Sequence, residues 1–322
     1  MPTQFRVAVI GATGRGDYGH AIDTAFVGLP NAAVVAVADE DERGRRAAME
    51  RTGAPAAYAD YREMLERVHP AIVCIGPRWT TDRREMVEAA AGHGASIYCE
   101  KPLTADLQTA DAIRAAVESQ GVRLQMAHQW RAMEPVQRAI RDVREGKYGR
   151  LLRMRARPKD DHRGGGEELL VHGTHLFDMM IAFAGPPKWV SAHVTDDGRD
   201  ARVEDATDAS EPVGPVLGDS VSAMFGFDDG VRGYFESTAG LSPGPGRRFT
   251  ELYGLFLECE RASLMLRQPG DVYVYPAPRV LPDLAELTWQ KQVIPEWHFD
   301  ADGKPRALFF FQAEDGIRGK AT

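Results

Sequence analysis

The chain has 322 residues, of which 43% are hydrophobic, and a formal net charge of -8 at pH 7. This length allows two domains of ordinary size, each with its own core. The acidic surplus would repel nucleic acid and anionic membranes, so we expect small molecules and sister subunits as partners. Three cysteines without a CxxC spacing argue against a disulfide framework or a zinc knuckle and favour a reducing compartment.

The N-terminal segment passes directly into an apolar strand pattern, without a basic start, a long apolar run or a cleavage site. The sequence also contains no apolar stretch of the length that a membrane-spanning helix needs. We therefore expect a cytoplasmic protein.

Between residue 5 and about residue 126, short apolar runs alternate with amphipathic helical stretches, which is typical of a doubly wound parallel sheet. The predicted strands are 6–10, 34–38, 71–75, 96–99 and 123–126. Residues with capping chemistry are expected to begin or end the helices between them, at Gly53, Asp60, Thr104 and Gly121. The sequence predicts an N-terminal Rossmann domain over residues 1–127.

After residue 127 the pattern changes to helices followed by strand-rich sequence. The predicted elements are helices at 135–145 and 167–184 and strands at 151–156, 221–227 and 231–237. The last two strands flank Asp228-Asp229-Gly230, which predicts a hairpin. The acidic, glycine-rich stretch 196–218 is predicted to be a long solvated loop. We expect an α+β domain with a mostly antiparallel sheet over residues 128–308.

The final segment, 309–322, reads FFFQAEDGIRGKAT and follows none of the preceding patterns. It resembles the translated read-through of a sequencing adapter. We interpret it as a non-native tail, with a native terminal strand and tail as the alternative.

A glycine-rich turn, GATGRG, follows the first predicted strand. In a Rossmann domain such a turn lets backbone amides approach a pyrophosphate, and the helix that follows adds its dipole. The match to G-x-G-x-x-G is imperfect because Thr13 stands at the second glycine position. The candidate cofactor-binding residues of the turn are Gly11, Thr13, Gly14, Arg15 and Gly16. The next apolar positions, Ile22, Ala25, Phe26 and Leu29, predict a helix directly after the turn.

Asp39 ends the second predicted strand, about 20 residues beyond the turn, where a carboxylate can accept hydrogen bonds from the adenosine ribose. The same carboxylate would repel a 2'-phosphate, so we expect NAD rather than NADP. Arg43 and Arg45 could offset that repulsion, which leaves NADP as the alternative. The other role open to Asp39 is to cap the next helix.

The predicted strand at 96–99 is followed by the tripeptide Glu100-Lys101-Pro102, at the edge of the sheet where open α/β folds bind ligands. The chain carries, in order, the glycine turn, Asp39, the IGPR segment at 75–78, this EKP tripeptide and a GKYG passage near Gly146. That order resembles the Gfo/Idh/MocA family of sugar and polyol dehydrogenases. The resemblance spans residues 5 to about 280.

The resemblance implies an NAD-dependent oxidoreductase that acts on CH–OH groups. In the family the EKP lysine orients and polarises the reacting hydroxyl or carbonyl, which implies that role for Lys101, and Pro77 and Glu100 would join the cofactor site. Desolvation near a bound cofactor would favour the uncharged form of such a lysine, so that it can share a proton at neutral pH. The alternative for Glu100 and Lys101 is a simple ion pair on the surface.

The family's second catalytic element is a helix with the pattern Asp-x-x-x-His. It aligns with Val171 and His175, so the resemblance implies His175 as the general acid and base while the aspartate is missing. His172 and Glu168 lie near the same helical face and are candidate substitutes. His172 could equally be a core residue. An HxxH pair also suggests zinc, but no third ligand has a suitable spacing, so we expect no metal.

The segment AHQWRAMEP lies where the family's substrate-contacting residues begin. The resemblance therefore implies His128, Trp130 and Arg131 as substrate-binding candidates, together with His172. Because relatives associate through an exposed sheet face, we also expect a homodimer or homotetramer.

Three functions remain open from the sequence. The first is transfer of a hydride from a secondary hydroxyl of a sugar, polyol or derivative to NAD. The second is an NAD-retaining glycoside hydrolase that uses transient oxidation. The third is a non-catalytic dinucleotide-sensing protein, which the valine in place of the family aspartate would suit.

Overall fold

The structure, a computed structural model, describes residues 4–241, 253–267, 270–276 and 288–295. The chain forms two compact units. One runs to Ala127 and also includes Glu211–Gly214, and the other contains His128–Ser210 and the described residues from Pro215 onward. The predicted tail at 309–322 lies outside the described residues. Within the described ranges, no helix combines the length and the apolar character needed to cross a membrane.

The first unit is built on a six-stranded sheet. Its strands are β1 (Phe5–Ile10), β2 (Ala32–Ala38), β3 (Ala56–Tyr58), β4 (Ile72–Ile75), β5 (Ser96–Cys99) and β6 (Leu124–Met126). Its helices are α1 (Glu42–Thr52), α2 (Tyr61–Val68), α3 (Arg83–Gly92) and α4 (Leu107–Ser119). All strand pairs are parallel in the order β3-β2-β1-β4-β5-β6, which confirms the doubly wound sheet. Three-residue β3 is too short to give a sequence pattern and was not predicted.

The strand order reverses between β1 and β4, the place where open α/β sheets bind their ligands. The glycine turn follows β1, the segment at Pro77 follows β4, and the EKP tripeptide follows β5. Because parallel strands all end at the same edge of the sheet, the topology brings these three segments to one edge. The central strands are buried on both faces, with Val9 and Val73 fully inaccessible to solvent.

The prediction of a helix directly after the glycine turn is wrong. Only a 3₁₀ turn, Ile22–Thr24, forms in that segment. The backbone has a positive φ at Asp17, Gly19 and Ala21 (52°, 60° and 58°), a conformation that interrupts a right-handed helix. The expected helix dipole at the turn is therefore not part of this site.

The predicted caps are confirmed in part. Asp60 begins α2 and accepts a 2.8 Å hydrogen bond from the Arg62 amide, and Gly53 ends α1 in the left-handed conformation. Thr104 was the wrong cap for α4, because Asp106 occupies the N-cap and accepts a 2.7 Å bond from the Thr109 amide.

The second unit begins with helices α5 (Gln129–Ala132) and α6 (Glu134–Arg144) and strand β7 (Leu151–Arg157). The helix predicted over 167–184 is divided into α7 (Gly166–Glu168), a π-helical turn (Leu169–Gly173) and α8 (Thr174–Ala184). The strands that follow are β8 (Trp189–Asp196), β9 (Arg199–Asp200), β10 (Thr207–Asp208), β11 (Pro215–Val216), β12 (Ser220–Gly226), β13 (Arg232–Thr238), β14 (Gly254–Cys259), β15 (Ser263–Arg267), β16 (Asp271–Tyr275) and β17 (Gln290–Lys291).

Nine of these strands form a mixed sheet in the order β17-β16-β15-β14-β7-β13-β12-β8-β9. The pairing of β13 with β7 is parallel and the other pairings are antiparallel, which confirms a mostly antiparallel sheet. The predicted hairpin is present as β12 and β13, joined at Asp228–Gly230. The stretch predicted as one long loop is partly wrong, since it contains the short strands β9, β10 and β11.

Helices α6 and α8 pack on this sheet. Val136 and Ile140 of α6 and Leu176 and Met179 of α8 are buried against sheet residues such as Phe235. Full burial of each such side chain contributes about 1.5–3 kcal/mol. The packing fixes α8, and with it the π-helical turn that carries the histidines.

Candidate functional site

The glycine turn is held against the ends of β1 and β2. The Gly11 amide donates a 2.8 Å hydrogen bond to the Ala38 carbonyl, and Ala12 pairs with Asp17 across the turn. Gly14 has a φ of +80°, and a β-carbon added there would meet no atom within 4 Å. The turn therefore has open space beside Gly14, into which a pyrophosphate can approach the backbone.

The carboxylate of Asp39 faces this turn and is 2% exposed. It accepts hydrogen bonds from the Thr13 amide (3.2 Å), the Thr13 hydroxyl (2.7 Å) and the Asp41 amide (3.0 Å). The cap of α1 is Asp41, which accepts a 2.7 Å bond from the Gly44 amide, so the alternative role of Asp39 as that cap is wrong. Asp39 instead ties the glycine turn to the end of β2.

Two aromatic contacts that sequence reasoning missed line the same turn. The Tyr18 ring lies so close to Gly11 that a β-carbon there would overlap it, which explains the need for glycine. Burial, with Asp39 adding to it, raises the pKa of Tyr18. Arg15 forms an ion pair with Asp82, and its guanidinium lies 5.5 Å from the centroid of the Trp79 ring.

The two arginines considered for a 2'-phosphate differ in their surroundings. Arg45 donates a 2.5 Å hydrogen bond to the Asp39 carbonyl and a 3.3 Å bond to the Glu40 carbonyl. Arg43 is exposed. The Arg45 guanidinium is therefore already hydrogen-bonded to backbone carbonyls at the end of β2.

Glu100 and Lys101 are 0% and 4% exposed, so the alternative of a surface ion pair is wrong. The Glu100 carboxylate accepts 2.9 Å hydrogen bonds from the amides of His20 and Lys101, and lies 3.2 Å from Nδ1 of His20. Burial alone would raise the pKa of this carboxyl, but the hydrogen bonds and charge of His20 and the charge of Lys101 lower it to about 2. An ionised Glu100 thus joins the EKP tripeptide to the segment after the glycine turn.

Arg83, the first residue of α3, is the second group that sequence reasoning missed. It is 1% exposed and donates to the carbonyls of Pro77, Glu100 and Pro102, the last at 3.1 Å. One guanidinium therefore fixes both the segment after β4 and the residues on either side of Lys101. A signal was present in the sequence, because Arg83 occupies the same helical stripe as the buried residues Met86, Val87, Ala90 and Ala91.

In the second unit, His172 and His175 are each 9% exposed. Nδ1 of His172 lies 2.7 Å from Oε2 of Glu168, which is itself 0% exposed. The Arg163 guanidinium lies 3.8 Å from the other carboxylate oxygen. Burial raises the pKa of Glu168 to about 8, against the opposing charge of Arg163.

A second set of polar contacts includes His175, His128, Arg131 and Asp178. The His128 ring lies 5.3 Å from the His175 ring, centroid to centroid, and its Nδ1 is 3.4 Å from Asp178. Arg131 donates a 2.8 Å hydrogen bond to the same carboxylate and a 2.7 Å bond to the Asp178 carbonyl. Two of the predicted substrate residues, His128 and Arg131, are therefore brought together with the predicted base.

Trp130 is separated from this polar set. It is 2% exposed, belongs to the core of the second unit and contacts Tyr253 at 5.7 Å between ring centroids. Trp130 is thus a core residue of the second unit, and its predicted contact with a substrate stays a prediction. Among the residues that the structure describes, no group of three or more His, Cys, Asp or Glu side chains is placed to hold a metal ion.

Comparison with known families gives two matches. Residues 5–128 match the Gfo/Idh/MocA oxidoreductase family with an NAD-binding Rossmann fold, and residues 136–254 match a Gfo/Idh/MocA C-terminal domain. The resemblance found in the sequence is thereby confirmed. The first unit is a Rossmann domain of the NAD(P)-binding type.

Curated relatives include several sugar and inositol dehydrogenases. The chain is 30% identical to myo-inositol dehydrogenase of Streptomyces leeuwenhoekii over 237 residues, covering 70% of this chain and 67% of the relative. It is 32% identical to D-apiose dehydrogenase of Paraburkholderia graminis over 121 residues, which span 38% of this chain and 32% of that relative. The match to the D-apiose enzyme covers less than two thirds of its length.

Solved structures share the fold across nearly the whole chain. Levoglucosan dehydrogenase in complex with NADH and L-sorbose superposes with a TM-score of 0.71 at 21% identity, covering 98% of this chain and 89% of that one. An NAD-binding oxidoreductase from Klebsiella pneumoniae gives a TM-score of 0.71 at 19% identity, covering 99% and 90%. At these identities the likeness concerns the fold.

Proposed function

The chain belongs to the Gfo/Idh/MocA family of oxidoreductases, and from that premise we propose that it oxidises a secondary hydroxyl of a sugar, polyol or related derivative with NAD. Residues 1–127 bind the dinucleotide, and residues 128–308 bind the substrate and a sister subunit. The residues at the glycine turn suit the cofactor, because open space lies beside Gly14 and Asp39 directly follows β2.

The observation that carries the proposal is the setting of Lys101. This lysine is 4% exposed, and it lies at the carboxyl edge of the parallel sheet, next to the strand β5. The ionised Glu100 and the buried Arg83 fix the backbone on both sides of it. A lysine on the surface does not require a fixed backbone on both sides. A lysine whose ammonium group must point at a reacting oxygen does require one, because catalysis depends on its position.

In the proposed reaction the bound dinucleotide supplies the hydride acceptor. The Lys101 ammonium donates a hydrogen bond to the reacting oxygen and stabilises the charge that develops on it. His175 takes the hydroxyl proton, since an imidazole changes charge near neutral pH. In the C-terminal unit, His128, Arg131 and His172 contact the substrate.

We assign NAD rather than NADP as the preferred dinucleotide. A 2'-phosphate close to Asp39 would meet a buried carboxylate, and Arg45 is already bonded to the backbone of Asp39 and Glu40. The Asp39 carboxylate accepts from Thr13 in this structure, and the ribose hydroxyls would share or replace that contact. The test is to compare the dissociation constants of NADH and NADPH, and tighter NADPH binding would overturn the assignment.

We also assign self-association, as a homodimer or homotetramer, to the sheet of the second unit. Trp189 at the start of β8 is 42% exposed and Met224 of β12 is 36% exposed, and the strand register places both on the sheet face opposite the buried Phe235. Apolar side chains on a sheet face are typical of a protein interface. Sedimentation of wild type and of Met224→Glu tests this assignment, and a monomeric wild type would contradict it.

The function itself is tested by mixing the purified protein with NAD and a panel of sugars, polyols and their acid derivatives while NADH formation is followed. Two alternatives give different results. An NAD-retaining hydrolase releases sugar from a glycoside without net NADH, and a dinucleotide sensor binds NADH without turnover on any substrate.

A further inference from the structure

The helix that carries His175 has no carboxylate at position 171, where the family pattern has aspartate; Val171 stands there and is 2% exposed. A buried carboxyl group is nevertheless present on the same element. Glu168 precedes Val171 by three residues, and its Oε2 atom lies 2.7 Å from Nδ1 of His172. His172 follows Glu168 by four residues, and His175 follows His172 by three.

The backbone between these residues is a π-helical turn, Leu169–Gly173. Such a turn adds one residue to a helical repeat and changes which side chains share a face, and it occurs often at functional sites. The turn begins directly after Glu168 and contains His172. The local winding of the helix therefore determines the contact between the carboxyl and the imidazole.

Based on this arrangement and on the proposed dehydrogenase function, we propose that Glu168 and His172 form a proton-holding pair that serves the substrate site in place of the missing carboxylate at position 171. The pair gives a proton to the substrate oxygen when a carbonyl is reduced and takes the hydroxyl proton when an alcohol is oxidised, with His175 as the contact to the substrate. Glu168 acts through His172 and is a positioning residue.

The electrostatic surroundings agree with one proton held between the two groups. Glu168 is 0% exposed, and burial raises the pKa of its carboxyl to about 8. Because Oε2 of Glu168 lies 2.7 Å from Nδ1 of His172, the protonation of one group affects the other. The ionisable groups that act on Glu168 are Arg163, Lys159, Asp160, Asp161 and His172.

The protonation state of the pair determines how kcat should change with pH in each direction of the reaction. Below about pH 8 the pair carries a proton, so it can act as the acid for carbonyl reduction. Above that pH the pair has lost the proton, so it can act as the base for alcohol oxidation. We expect the oxidative kcat to rise and the reductive kcat to fall as the pH passes through this value.

The neighbouring residue supplies a matched control. Glu167 is also buried, at 7% exposed, but its carboxylate accepts hydrogen bonds from the amide and hydroxyl of Ser210, at 2.9 Å and 2.6 Å. Glu167→Gln makes the same change of charge one residue away from Glu168. It should leave the titration of His172 and the pH profile as in wild type.

A first test does not require turnover. The full chain with ¹⁵N-labelled histidine is titrated by NMR from about pH 6 to about pH 10, a range that spans the ionisation of the pair. The signal lost in His172→Asn identifies His172. Because the two side chains are in contact, we expect Glu168→Gln to change the pH dependence of the His172 signals and Glu167→Gln to preserve it. An unchanged His172 transition in Glu168→Gln would overturn the proposal, whether or not a substrate has been found.

The second test uses kinetics once a substrate turns over. We expect Glu168→Gln to lower kcat by about 100-fold, a modest general acid–base effect. The substitution should also remove the change in kcat near pH 8. KM and the NADH dissociation constant should stay within about twofold. Glu168→Asp keeps a carboxyl group and should therefore retain part of the pH dependence of kcat. A Glu168→Gln enzyme that folds as wild type, judged by thermal unfolding, and keeps the wild-type pH profile would contradict the proposal.

Discussion

The Arg83 guanidinium donates a 3.1 Å hydrogen bond to the carbonyl of Pro102, which ties the first turn of α3 to the residue after Lys101. The same side chain donates to the Pro77 carbonyl. The position of the proposed catalytic lysine therefore depends on a buried cation in a neighbouring helix. Removing it leaves several buried carbonyls without a donor, each at a cost of about 1–3 kcal/mol.

We expect Arg83→Met to lower the melting temperature and to weaken NADH binding by about 10-fold, which corresponds to about 1.4 kcal/mol. Arg84→Met is the control, because Arg84 is exposed and pairs with Glu88 on the helix surface. Thermal unfolding and NADH fluorescence titration measure both effects. Equal NADH affinity in Arg83→Met and wild type would show that the loop positions do not depend on this residue.

Lys101→Met should lower kcat by about 100-fold to 10,000-fold, because the reacting oxygen loses its proton-sharing group. The dissociation constant of NADH should change little, since the backbone held by Glu100 and Arg83 remains. Lys188→Met serves as the control, as Lys188 pairs with Asp228 on the surface. Wild-type turnover in Lys101→Met would refute the catalytic assignment.

Asp39→Ala should weaken NADH binding and reduce the preference for NADH over NADPH by about 10-fold, since the 2'-phosphate no longer meets a carboxylate. Asp41→Ala removes only the cap of α1 and should cost about 1 kcal/mol of stability without changing the preference. Dissociation constants for both dinucleotides check the two variants. A preference that stays the same in Asp39→Ala would mean that this carboxylate does not select the cofactor.

The Glu100 carboxyl predicts a pH dependence of stability. Its pKa is lowered from 4.5 to about 2 in the folded protein, so its ionised form stabilises the fold above pH 4.5, and this contribution is lost as the pH falls toward 2. Glu100→Gln should therefore lower the melting temperature at pH 7 by on the order of 5 °C. The gap between variant and wild type should narrow below pH 4.5.

Glu88→Gln is the control for this experiment, because Glu88 forms an exposed ion pair with Arg84. Its melting temperature should stay close to that of wild type throughout. A gap between Glu100→Gln and wild type that is the same at pH 7 and at pH 3 would contradict an ionised, stabilising Glu100.

Strand positions in the first unit could be predicted because their continuous apolar runs reflect burial on both faces, as in the segment of Val73. The segment after the glycine turn could not, because its winding depends on positive φ values at Asp17 and Ala21 that no apolar spacing reveals. Three-residue β3 was missed because so short a strand shows no periodicity.

In the candidate site, too, some residues could be predicted from the sequence and others could not. Lys101 and His175 were found from motifs, whereas Arg83 and His20 were missed because their roles arise from contacts between segments distant in sequence. The pairing of Glu168 with His172 could be suggested from their spacing, but the π-helical turn and the burial that define it needed the structure. Charged residues on a buried helical stripe, such as Arg83 and Glu168, are the signal to look for.

Hydride transfer from substrate to dinucleotide can be measured by following an isotope from the substrate to the cofactor. A sugar or polyol that supports NADH formation is prepared with deuterium on the reacting carbon and incubated with NAD and the protein. We predict that deuterium appears in the NADH, one per ketone or lactone formed, and that Lys101→Met nearly abolishes this transfer. NADH that forms without deuterium from the labelled carbon would contradict this prediction.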